Sequence, residues 1–404
     1  MRASVSSTNA QANGNAAFSA LSGNGRYVVF ASWASNLVGG DSNGAMDIFR
    51  RDLQTGETIR ISVPTATVNG DADGDSEEPS IDEGGNVVVF HSWASNLTSG
   101  DTNAKADVFL RDVTAGTTTM VSVRPDGLPV TGGADIPQSA WPSVSADGRY
   151  VAFDSRADDV VAGDTNADID VFVRDMRTGV TTRVSITNAG QQSAGAFDAA
   201  ISADGRHVAF TSDAANLSPN GQRQAFVRDL VAGTTTMVSL SSSALVGDAG
   251  SYDPSLSADG RYVMFHSDAT NLAAGDTNGA QDVFRRDLQT GVTIRVGTVS
   301  DDGQLDGADR MISSSGRYVV FTSNAALVAD DTNGVTDVYV YDCDLGVTTR
   351  VSISTAGAQS NGAHTLSSSI SSSGRYVAFV ASATNLVAGD TNGADDVFVR
   401  DLTG

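Results

Sequence analysis

Ser145-Ala146-Asp147-Gly148-Arg149-Tyr150-Val151-Ala152-Phe153 reads as a tight turn feeding a strand: a serine and an aspartate that can hydrogen-bond local backbone, a glycine free to take positive φ, then β-formers. The strand half of the phrase returns at 26–30, 86–90, 206–210, 261–265, 317–321 and 375–379. The phenylalanines closing these copies lie 55 to 63 residues apart, so seven repeats of one unit span the chain. Each unit continues through a connection to a phrase such as Asp170-Val171-Phe172-Val173-Arg174-Asp175, a Thr-Gly turn, and a phrase such as Thr181-Thr182-Arg183-Val184-Ser185. Helical periodicity is missing, and each unit is four short antiparallel strands, A to D. A lone sheet of this size cannot bury both faces, whereas seven packed radially can; the expectation is an all-β, seven-bladed β-propeller.

The termini bear on how the ring closes. The last copy stops at Leu402-Thr403-Gly404, before any strand D, while Arg2-Ala3-Ser4-Val5-Ser6 resembles the D strands Arg183-Val184-Ser185-Ile186 and Arg350-Val351-Ser352-Ile353. This predicts a single domain over 1–404 in which residues 1–7 complete the blade formed by 365–404. The phrase at 145–155 resembles the WD40-like repeat of TolB-type β-propellers, and the likeness extends over every blade. It implies the fold and leaves the function open, since this architecture serves binding scaffolds, lyases and peptidase gatekeeping domains alike.

Composition narrows the partners. Asp plus Glu number 48 against 25 Lys plus Arg, a net charge of −23, and Lys105 is the one lysine. Phosphate backbones repel such a surface, which argues against nucleic acid, and no apolar run is long enough for membrane insertion. The single cysteine, Cys343, can form neither an internal disulfide nor a cysteine-based metal site. The first residues carry no apolar signal-peptide core, which fits either a cytosolic protein or one whose leader has been removed.

A second phrase, Gly-Asp-Thr-Asn-Gly-x-x-Asp, precedes strand C in six units. Its polar positions are Asp41, Asn43 and Asp47; Asp101, Asn103 and Asp107; Asp164, Asn166 and Asp170; Asp276, Asn278 and Asp282; Asp331, Asn333 and Asp337; Asp390, Asn392 and Asp396. Oxygen donors at relative positions 1, 3 and 7 suit a hard cation, and Asp168 adds a fourth in blade three. The spacing resembles the start of an EF-hand-type loop but lacks its bidentate Glu. Turn chemistry accounts for Asp, Asn and Gly, yet not for a second aspartate at the start of a strand. Blade four loses both aspartates, reading Ser218-Pro219-Asn220-Gly221-Gln222-Arg223-Gln224. The expectation is Ca²⁺ in several of these loops, up to six, with the copies containing Lys105 and Val335 binding weakest. These loops share a face with the D to A connections at 64–77, 124–140 and 240–251, where a protein or glycan partner is expected.

Other motifs carry less. Gly40-Asp41-Ser42-Asn43-Gly44 matches a nucleophile elbow without the strand-turn-helix context that motif requires. His91, His207, His266 and His364 fall in four different blades. Trp33 and Trp93 occupy the same position of neighbouring blades and could form aromatic platforms, while Trp141 precedes Pro142 at the entry to blade three. The Arg-Asp pairs ending strand C, as at Arg51-Asp52 and Arg174-Asp175, recur in blade four and are read as structural. The reading is a non-catalytic, Ca²⁺-binding scaffold outside the cytoplasm, where millimolar Ca²⁺ fills weak sites. Its rival is a metal-dependent enzyme such as a polysaccharide lyase, which would show converging His, Glu and Arg in the central channel.

Overall fold

In blade one, β1 (Ala16–Leu21), β2 (Tyr27–Ser32), β3 (Asp47–Asp52) and β4 (Thr58–Arg60) form an antiparallel sheet in sequence order, corresponding to strands A to D. Blade two repeats it with β5 (Ser76–Ile81), β6 (Val87–Ser92), β7 (Asp107–Asp112) and β8 (Thr117–Met120). The computed structural model describes residues 1–65, 71–131, 141–297 and 311–403, and among them are six such sheets, a seventh of three strands, and no helix. The innermost strands contact one another in turn, from blade one to blade seven and back to blade one. The protein is a seven-bladed β-propeller.

Packing between blades comes from the repeated aromatics. The strand B phenylalanine stands opposite the strand C aromatic in register, as in Phe30 with Phe49, Phe153 with Phe172 and Phe321 with Tyr339. Their ring centroids are 5.8 to 5.9 Å apart in these three pairs. All six rings are essentially inaccessible to water, and apolar side chains of the neighbouring blade share their clusters: Val380 and Val397 with Phe30 and Phe49, Val89 and Val108 with Phe153 and Phe172, and Met264 and Val283 with Phe321 and Tyr339. The A to B turn is built as its residues suggest: Ser145 Oγ accepts from Tyr150 N, Asp147 accepts from Arg149 N, and Gly148 has φ +70°. A Cβ on Gly148 would lie 2.6 Å from Val87 of the preceding blade, so glycine is required for both conformation and space.

Residues 1–5 close the ring. Ala3 N donates to Val397 O at 2.7 Å, Val399 N donates to Met1 O at 2.8 Å, and Arg2 pairs antiparallel with Phe398. The C-terminal sheet of His364–Ile370, Tyr376–Ala381 and Asp396–Asp401 thus takes its fourth strand from the other end of the chain.

The Arg-Asp pairs divide their work. Asp52 accepts from Gln54 N and Thr55 N in the C to D turn and is clamped by Arg26, an arrangement repeated by Asp175 with Arg149, Asp287 with Arg261 and Asp401 with Arg375. Arg51 is buried, and it spans to Thr58 Oγ1 at 3.0 Å and to Ser6 O of the adjoining blade at 2.9 Å.

Candidate functional site

The acidic loops hold their shape through the asparagine. Asn43 Oδ1 accepts from Ala45 N at 3.1 Å, while its Nδ2 donates to Asp47 Oδ2 and to Ala72 O, both at 3.0 Å. Asn103, Asn166, Asn333 and Asn392 make the same three bonds. Asn278 follows in part, accepting from Ala280 N and pointing its amide at Asp282. Expected to face a cation with their oxygens, these asparagines instead brace the turn. In blade three Asp168 Oδ1 likewise accepts from Ile169 N.

The second aspartate starts strand C because it ties that strand to strand D. Asp47 Oδ1 accepts from Ser62 Oγ at 2.5 Å and Asp107 Oδ1 from Ser122 Oγ at 2.6 Å; Asp170, Asp337 and Asp396 bond Ser185, Ser352 and Ser4 in the same way. The strand D serine recurs in blade four, where Ser239 donates to Gln224 Oε1 at 2.6 Å.

Between the paired carboxylates stands an arginine of strand D. Arg60 lies 3.3 Å from Asp41 and 3.2 Å from Asp47; Arg183 lies 2.8 Å from Asp164 and 3.8 Å from Asp170. Arg295 is 3.4 Å from both Asp276 and Asp282. Arg350 reaches Asp331 at 3.2 Å and Asp337 at 3.9 Å, and Arg2, from the N-terminus, reaches Asp390 at 3.0 Å and Asp396 at 3.2 Å. In five blades the position expected for an ion therefore holds a guanidinium. The signal lay in the strand D phrase, which reads Thr-x-Arg in blades one, three, five and six but Thr-Thr-Met at Met120 and Met237.

Those two methionine blades differ. Blade four has no carboxylate at either position, with Ser218 and Gln224 in place of the aspartates and Arg223 set over the Phe197 ring, and Ser218 Oγ donates to Asn220 Oδ1 and Gln222 O. Blade two keeps Asp101 and Asp107 beside Met120. Asp101 is only 9% exposed, and neither carboxylate oxygen accepts a hydrogen bond of good geometry. Burial, then the neighbouring Asp107, pushes its pKa up to about 6, with the Asn103 backbone N–H opposing. Burial also lifts Asp170 and Asp276 to about 6 beside their arginines, so the rise belongs to the buried setting. What sets blade two apart is the missing guanidinium.

The central channel holds a cavity of about 220 Å³. Phe18, Trp141, Pro79, Pro142, Ile201, Leu256 and Met311 line it with serines and alanines, and Glu78 is its one charged lining residue. Phe18 and Glu78 sit at bulges in β1 and β5 with φ +48° and +55°, which turn them toward the channel. Phe18 meets Trp141 edge-on at 5.7 Å. Trp33 and Trp93 are 50% and 48% exposed, and Trp33 borders a smaller cavity of about 170 Å³ with Asn15, Phe18 and Asp395. None of the four histidines lines the channel cavity. His91 packs edge-on against Trp93 at 4.4 Å, and its burial drops its pKa to about 4. Ser42 donates to Asp71 and belongs to the acidic loop, and burial pushes the Cys343 thiol up to about 11. The D to A connections expected to build up this face lie in part outside the described residues, at 66–70 and 132–140.

Neither a family model nor a curated protein matches the sequence. Solved structures do match in shape. An oligogalacturonate lyase from Vibrio parahaemolyticus aligns at 10% identity and a TM-score of 0.55, covering 95% of this chain and 89% of its own. A prolyl endopeptidase aligns at 12% and 0.55, covering 96% of this chain and 50% of its own. TolB from Acinetobacter baumannii aligns at 16% and 0.45, with 83% of this chain covered, and the chain spans 63% of that protein's length. The matches with the lyase and the endopeptidase show a shared β-propeller fold. These matches correct the expectation of a non-catalytic protein, because two of them are enzymes; the fold is one that enzymes use, and absence of catalysis cannot be read from it. No helix among the described residues is long and apolar enough to cross a membrane.

Proposed function

We propose that the propeller binds a glycan, outside the cytoplasm, on the face bearing the B to C and D to A loops. The observation that carries this reading is the pair of half-exposed tryptophans, Trp33 and Trp93, repeated in adjacent blades, with Trp33 at a cavity that shares Phe18 with the channel. Aromatic faces pack against the C–H faces of sugar rings, and the surrounding Asn15 and Asp395 offer acceptors for hydroxyls. The net charge of −23 and Glu78 in the channel favour a neutral glycan over a polyanionic one. A protein partner on the same face is the alternative occupant.

Affinity electrophoresis against a panel of neutral and acidic polysaccharides tests this. At least one neutral polysaccharide should retard the wild-type protein, and Trp33→Ala with Trp93→Ala should abolish the retardation. Binding to none, or equal binding by the double variant, defeats the reading. Mass analysis of the same mixtures for shortened chains reports any catalysis.

A further inference from the structure

We propose that the blade-two loop holds one divalent cation between Asp101 and Asp107, in the position that a guanidinium fills in five sister blades. The five copies show what this loop requires. Two carboxylates face one another across a buried space, and a positive charge from strand D stands between them, with N···O distances from 2.8 to 3.9 Å. Blade four shows the other solution, in which the strand D arginine and both carboxylates are absent together. Blade two alone keeps the negative charges and replaces the arginine with Met120, which packs into the apolar cluster between blades one and two.

The unsatisfied group is specific. Asp101 is the one carboxylate among the described residues with both oxygens buried and neither accepting a hydrogen bond of good geometry. A buried carboxylate left without partner is costly enough that such groups are paired or coordinate metals. Asp107 keeps Oδ1 bonded to Ser122 and Oδ2 to Asn103, fixing its orientation while leaving lone pairs on both oxygens. Asp73 adds a third negative charge close enough to influence Asp101. Lys105 acts on Asp107 as the weakest of the influences there and does not figure at Asp101. An all-oxygen donor set with water completing the shell suits Ca²⁺. The loop containing Lys105, expected from sequence to bind most weakly, becomes the favoured one, and the inference is independent of the glycan reading.

Equilibrium dialysis against Ca²⁺ with a metal count, paired with thermal melts in Ca²⁺ and in chelator, tests it. One ion per chain is expected, with a higher Tm in Ca²⁺. Met120→Arg should supply the missing guanidinium, lose the ion and melt at the same temperature in Ca²⁺ and chelator. Asp101→Asn should lose the ion as well, which keeps the test decisive if the arginine variant fails to fold. Arg60→Met should create a second site and raise the count to two. No bound ion at millimolar Ca²⁺, several ions in the wild type, or an ion retained by Asp101→Asn each overturns the proposal; the first of these would leave Lys105 or a proton as the balancing charge.

Discussion

Blades two and four have both exchanged the strand D arginine for methionine, yet only blade four has also given up its aspartates. In blade four, Gln224 reproduces the carboxylate's bond to the strand D serine without its charge, and the amide finds Gly247 O and Ala249 O. Blade two has the same hydrogen-bonding skeleton around Asn103 and Ser122 but carries two negative charges with no guanidinium. The difference separates two roles that the acidic phrase combines. Its hydrogen bonds shape the loop, and they tolerate a neutral substitute; its charges require a counter-charge from somewhere else in the blade.

That separation can be broken most directly in blade three. Arg183→Met should leave Asp164 and Asp170 buried and unpaired, costing about 3–5 kcal/mol in chemical denaturation. Adding Asp164→Ser and Asp170→Gln, which copies blade four, should recover most of that loss. A triple variant no more stable than Arg183→Met would show that the arginine works through packing and not charge. The reverse exchange in blade two, Met120→Arg, should raise stability in chelator by about 1.5–3 kcal/mol, the worth of hydrogen bonds to a charged group. No gain would mean that Asp101 is already satisfied.

A smaller effect follows from pH. Burial holds Asp101 near 6, above the ordinary 3.8, so between these values the folded chain binds the proton that the unfolded chain has released. Its contribution to stability therefore declines as pH rises from about 4 to about 6 and is constant above. Measured in chelator, wild type minus Asp101→Asn should show this decline, and saturating Ca²⁺ should flatten it. The clamps on the opposite face carry the other sign. Arg149 holds the Asp175 carboxyl well below the usual range, so its contribution is present at neutral pH and lost only in strong acid. The smallest stability change is expected for Trp33→Ala, about 0.5 kcal/mol or less, since half of the side chain is already in water; a larger loss would make that residue part of the packing and weaken its reading as a platform.

The seven-fold repeat, the four-strand unit and the closure by the N-terminal strand were legible because each rests on local chemistry: period-two β-formers, turn glycines and a displaced strand D phrase. The acidic loops were legible as loops. Their asparagines were not legible as braces, because the same residue can present either its oxygen or its amide, and only the position of Ala72 O or Val130 O across the gap selects the amide. The counter-charge was hidden for a related reason. Arg183 follows Asp170 by thirteen residues, and Arg2 is separated from Asp390 by nearly the whole chain, yet strand pairing sets both at one blade position.

Taken alone, the order of residues settled the architecture and the places where negative charge gathers, since both follow from patterns within a few neighbouring positions. Which charges are answered from inside the molecule, and which in blade two are not, was decided by the register of strand C against strand D. Electrostatics acts through space, and the distances that matter exist only once the sheet has formed.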